Sequence, residues 1–114
     1  MYNEFTLLGG YVLFHSDLIP SKKVSATHVY GGGYFKIDDD NKKVILYGES
    51  VDFGEPSYKQ IENAIKLEQT RKNNFLSELW MIMYLYYRSQ GCDINEDDIP
   101  DYTKYKISFD QYGK

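Results

Sequence analysis

The sequence predicts an α+β fold: a mixed, mostly antiparallel sheet with two helices, or one long helix, packed on it. Three observations lead there. Segments of strand period fill the first half of the chain, hydrophobic period changes to 3.6 across residues 53–90, and a short alternating run returns near the end. The 114 residues form one domain, 1–114, with a helical insert at about 68–92.

Residues 5–15, "FTLLGGYVLFH", are apolar and rich in strand formers, and Gly9-Gly10 interrupts them, so they form either one bulged strand or a tight hairpin. Pro20 and Ser21 turn the chain, and residues 24–30, "VSATHVY", alternate as a second strand. After the glycines 31–33, "YFKI" (34–37) and "KVILYG" (43–48) are joined by "DDDNKK" (38–43), a strong hairpin signal because Asp and Asn favour turns. In 53–67 Ser57 and Gln60 have capping-box spacing, and Ile61, Ala64 and Ile65 share one face. A second helical stretch runs from about Asn74 to Gln90, with Phe75, Leu79, Ile82 and Tyr86 in a stripe and Gly91 as its stop. Residues 68–74, "EQTRKNN", are either a loop between two helices or the middle of one. An acidic loop (94–101) and a closing strand (105–109) complete the reading.

Composition narrows the function. A net charge of −4, with Lys and Arg clustered no further than pairs such as Lys22-Lys23 and Lys42-Lys43, disfavours nucleic acid as a partner. The single Cys92 excludes an internal disulfide and a cysteine-rich zinc site. Asn3 and Glu4 stand where a signal peptide would be basic, and the longest apolar run, Leu79–Tyr87, is about half a membrane span. The expectation is a cytoplasmic protein without cofactor, metal or membrane partner. Twelve Tyr give it either a large amphipathic core or an adhesive surface. The apolar surface of Leu79–Tyr87 suggests a protein partner or a homodimer, although a fully buried helix is the simpler alternative.

Only two histidines are present. His15 precedes Asp17 by two residues, a spacing that on a strand lets the carboxylate orient the imidazole as a general base or nucleophile. His28 ends the next strand, and two histidines without a third ligand make a weak metal site. Gly31, Gly32 and Gly33 lead into a strand rather than a helix, so they are no dinucleotide fingerprint. They fit either a bulge where strands cross closely or a nest of N–H groups for an anion. The stretch 47–57 offers Ser50 and a helix start at Ser57, but Glu49, Asp52 and Glu55 crowd it with negative charge. The runs Asp38–Asp40 and Glu96–Asp98 lack calcium-loop spacing and read as solvated turns.

In order, "HSDL" (15–18), "GGG" (31–33) and "NKKVILYGESVDFG" (41–54) resemble the phosphohistidine phosphatase (Janus) family, and "PDYTKYKISF" (100–109) resembles its closing strand. The resemblance covers about residues 15–54 and implies that family's α+β fold. It implies His15 as general base or phosphoryl acceptor with Asp17 beside it. A phosphorylated ligand would lie against the Ser16 and Asp17 amides, Gly31–Gly33, Tyr34 and Ser50. Three departures alter that expectation. Tyr34 replaces the family's arginine after the glycines, no Lys or Arg precedes Lys22, and Asp52 adds charge beside Ser50. Phosphoryl transfer relies on charge stabilisation, so the sequence favours a non-catalytic binding or regulatory protein over a phosphatase acting through His15.

Overall fold

In the computed structural model, residues 3–8, 12–16, 29–51, 54–71 and 74–110 are described. β1 (Glu4–Leu8) and β2 (Val12–His15) pair antiparallel from Phe5↔His15 to Leu8↔Val12, so the first apolar run is a hairpin rather than one bulged strand. β3 (Val29–Asp38) pairs antiparallel with β1 on one side and with β4 (Lys43–Tyr47) on the other. The β3–β4 turn is closed by Asp38, whose carboxylate accepts from the backbone and side-chain amides of Asn41 at 3.2 and 2.7 Å. Those bonds hold the Asp38 carboxyl below its ordinary pKa.

Two helices follow: α1 (Tyr58–Arg71) and α2 (Asn74–Ser89). The helices are two, and residues 68–71 of the segment that reads as either loop or mid-helix form the last turn of α1. In α1, Ile61, Ala64 and Glu68 form the buried stripe; in α2, Phe75, Leu76, Leu79 and Ile82 do. α2 ends as expected at Gly91, whose φ of 76° closes a Schellman motif: Cys92 N–H donates to Tyr87 and Gly91 N–H to Arg88. Two 3-10 turns (Glu96–Asp98 and Tyr102–Lys104) lead into β5 (Lys106–Asp110), which pairs parallel with β4. The sheet order is β2-β1-β3-β4-β5. A mixed sheet with helices on one face is thus the observed architecture.

Phe5, Leu7, Leu13, Phe35, Val44, Leu46 and Ile107 fill the helix-facing side of the sheet and meet the stripes of α1 and α2. One element differs from its sequence reading. The glycines do not separate two strands but lie inside β3. The register with β1 slips between Thr6 and Leu8, placing a bulge beside Gly31, whose φ is 109°. Of the expected strand 24–30, Val29 and Tyr30 belong to β3, and the remainder lies outside the described residues.

Candidate functional site

The cross-strand row His15–Phe5–Gly33 places the candidate base on the edge strand β2, opposite Phe5 of β1. Side chains alternate across a strand, so His15 follows Phe5 onto the helix-packed face. It is 1% exposed there. Its ring stacks on Phe75, the second residue of α2, at 4.1 Å between centroids and 5° between planes, and meets the edge of Phe35 at 5.5 Å. Its Nε2 lies 2.7 Å from the carbonyl oxygen of that same Phe75. A carbonyl only accepts, so Nε2 carries a proton and donates it. The residue expected to abstract or receive at this position is engaged with the first turn of a helix that starts sixty residues along the chain.

The glycines explain themselves through crowding by backbone. A Cβ on Gly31 would stand 2.6 Å from Pro56 Cα, one on Gly32 2.5 Å from the Phe5 oxygen, and one on Gly33 2.6 Å from the Tyr47 oxygen. Three chain segments therefore pass within van der Waals contact of this triplet, and any side chain would displace one. The Gly32 N–H donates to the Gly54 carbonyl at 3.2 Å, and the Gly32 carbonyl accepts from Ser50 N–H at 2.9 Å. Gly54 N–H returns to the Ser50 carbonyl at 2.9 Å, so Ser50 and Gly54 are both tied to Gly32 through the main chain.

The remaining expected site residues divide between neighbourhoods. Ser16 shares a hydroxyl bond of 2.8 Å with Thr6, which pairs with Gly32 and so lies on the face away from His15. Ser50 Cβ is 3.4 Å from the place a Gly32 Cβ would take. Tyr34 packs on Tyr47, ring centroids 5.9 Å apart, and against Gly48, where a φ of 73° strains any other residue and a Cβ would stand 3.1 Å from the Tyr34 ring. Lys36, the described cation nearest this row on β3, holds its ammonium over the Tyr47 ring at 5.6 Å. Asp17, His28, Lys22 and Lys23 lie outside the described residues. Among the described residues no group of three or more His, Cys, Asp or Glu is placed to hold a metal, and no helix is long and apolar enough to cross a membrane.

Two residues that matter here were missed by sequence reasoning. Phe75 reads only as a stripe residue, and nothing local links it to His15. Glu68 had a signal: it sits four residues after Ala64 and seven after Ile61, on the apolar stripe of α1. It is 2% exposed, and its Oε1 accepts the Leu76 N–H at 3.0 Å, so a carboxyl of α1 caps the start of α2. Burial pushes its pKa up, against the opposing pull of the Leu76 and Phe75 amides. That cap fixes the turn of α2 that covers His15.

Comparison with known families agrees with this region being the informative one. The family model described as Ocnus: Janus/Ocnus family matches residues 14–73, more than half of the chain, from the end of β2 past the end of α1. No curated protein and no solved structure matches the chain.

Proposed function

The chain belongs to the Janus/Ocnus family, and from that premise we propose that it is a cytoplasmic, non-catalytic member that acts by binding protein. The observation carrying this reading is the burial of His15 under Phe75, with Nε2 already donating to the Phe75 carbonyl. A general base must come within hydrogen-bond reach of the proton it takes. His15 meets that condition only after α2 lifts away. The charge pattern supports the same reading. Transfer of a phosphoryl group needs cations at the oxygens, whereas Tyr34 follows the glycines and Lys36 is held over Tyr47.

In this reading the binding surface is the outward side of α2. Met81, Leu85 and Tyr86 are 41%, 40% and 39% exposed there, beside the stacked pair Trp80–Tyr84. The occupant we propose for it is a second copy of the chain. The one described cation of the helix's last turn, Arg88, lies over Tyr84, so the patch offers apolar and aromatic surface that is complementary to itself.

Two measurements test the proposal. The purified protein and His15→Ala are assayed on phosphohistidine and small phosphoesters; both should match buffer. Turnover by the native chain that is lost in His15→Ala overturns the non-catalytic reading and restores His15 as base. Sedimentation should show a dimer that Leu85→Lys dissociates. A native chain that stays monomeric at high concentration removes the dimer.

A further inference from the structure

α2 carries only two charged residues, Glu78 near its start and Arg88 in its last turn. Between them stand Met81 and Leu85, 41% and 40% exposed. These positions recur at i, i+3, i+7 and i+10, the spacing of a single helical stripe. Met81, Leu85 and Arg88 are exposed, and Glu78 lies half-buried at the margin of the stripe. Along the helix its order is acid, apolar, apolar, base, with the two charges about 15 Å apart at the usual helical rise.

Neither charge is well matched within the chain. Burial pushes the Glu78 pKa up, and among the described residues no cation stands within ion-pair distance of it. Arg88 meets Asp93 at 3.6 Å, but both side chains are solvent-exposed, and such pairs contribute little. The stripe is also symmetric about its middle. Met81 and Leu85 lie two residues to either side of position 83, and Glu78 and Arg88 lie five.

Two identical helices related by a two-fold axis run either parallel or antiparallel. Parallel packing sets Glu78 against the second copy's Glu78 and Arg88 against its Arg88, so like charges meet at both ends. Antiparallel packing centred on position 83 reverses this. Met81 then meets the second copy's Leu85, Glu78 meets its Arg88, and symmetry makes each contact twice. The helix macrodipoles oppose in the same arrangement, which adds to the preference.

We propose that two copies of this chain pair through antiparallel α2 helices, with Met81 and Leu85 as the apolar seam and Glu78 and Arg88 as the ion pairs that fix the direction. The arrangement rests on the reading that the outward side of α2 takes a second copy, and it adds the orientation and the residues that select it. A helix offering an apolar stripe without this order of charges is a poorer partner, because it leaves Glu78 or Arg88 unpaired or facing its own sign.

Sedimentation of the full chain at low ionic strength tests the pairing. Glu78→Arg and Arg88→Glu should each raise the dimer dissociation constant at least tenfold, since each places like charges face to face at two symmetric positions. The chain carrying both reversals should return to within about threefold of the native constant. Thermal melts check that each variant is folded. Direction is read by cross-linking after Cys92, an exposed thiol, is replaced by Ser. Met81→Cys chains mixed with Leu85→Cys chains should oxidise mainly to the mixed disulfide. A native dimer indifferent to both single reversals, or disulfides mainly between like chains, overturns the antiparallel pairing and leaves the dimer standing. So does a double reversal that melts like the native chain yet stays dissociated. A native chain that is monomeric at high concentration removes the dimer itself, so the two fail by different results.

Discussion

The two ends of β3 carry the same backbone under opposite conditions. Around Gly31–Gly33 the strand is paired with β1 on one side, bonded to the 50–54 turn on the other, and approached so closely that no Cβ fits. Around Ile37 it pairs with β4, and among the described residues with nothing on its other side, and it borders a cavity. The crowded end holds the glycines, with His15 and Ser50 close by, whereas Lys43 and Val44 of the 41–54 motif pair with the other end. The difference teaches that a glycine triplet inside a strand is not by itself a vacancy. Here its room is taken by other parts of the same chain, and the vacancy lies where side chains are ordinary.

The comparison breaks first at Phe75. Phe75→Ala removes a fully buried ring and the face on which His15 stacks, and it should cost about 3–5 kcal/mol of unfolding free energy. Denaturant titration measures it, and a loss below about 1 kcal/mol would mean that α2 does not hold His15 down. Gly32→Ala tests the crowding directly. With the Phe5 oxygen 2.5 Å from the new carbon, overpacking should cost about 1–3 kcal/mol, read as a fall in Tm. Glu68 gives a smaller, pH-dependent effect. Its folded-state pKa is raised, so the native state binds the proton more tightly than the unfolded chain. Stability is then greatest below the ordinary value of 4.5 and declines as pH rises from there through the raised value. Glu68→Gln should flatten that decline in melts taken between about pH 4 and 7; an unchanged slope would assign it to another group. Toward the Ile37 end, Lys36→Ala removes an exposed cation over Tyr47, worth about 0.5–1 kcal/mol. A larger loss there would show that this end is less tolerant than its packing indicates.

Much of this architecture was legible in the chain. Period and turn chemistry located the β3–β4 hairpin, both helices and the Gly91 stop, because each depends on residues close in sequence. The glycines were harder. Their spacing allowed a bulge or an anion nest, and the choice depended on Pro56, Phe5 and Tyr47, which only the fold brings together. The candidate site was least legible. "HSDL" identified His15, yet its surroundings come from Phe75, a residue whose local pattern states that it is buried and not what it is buried against. Glu68 fell in a segment, 68–74, for which loop and helix both stayed open, because its charge hid its place on the buried stripe.

One feature of the topology bears on how this molecule assembles. β5 pairs parallel with β4, and the whole excursion from residue 48 to 105, both helices included, separates the two strands. The β3–β4 hairpin needs only a four-residue turn, whereas the β4–β5 ladder must close a loop of that full length before its first bond forms. β5 should therefore be the last strand to acquire protection in pulse-labelled refolding, with the amides of Lys106–Asp110 trailing those of β3 and β4; simultaneous protection would refute that order. Until then Val44 and Leu46 lack Ile107 and Phe109 beside them, and the nascent sheet exposes β4 as an unpaired apolar edge. The step that completes the core is also the step that removes this protein's main opportunity to pair with the wrong strand.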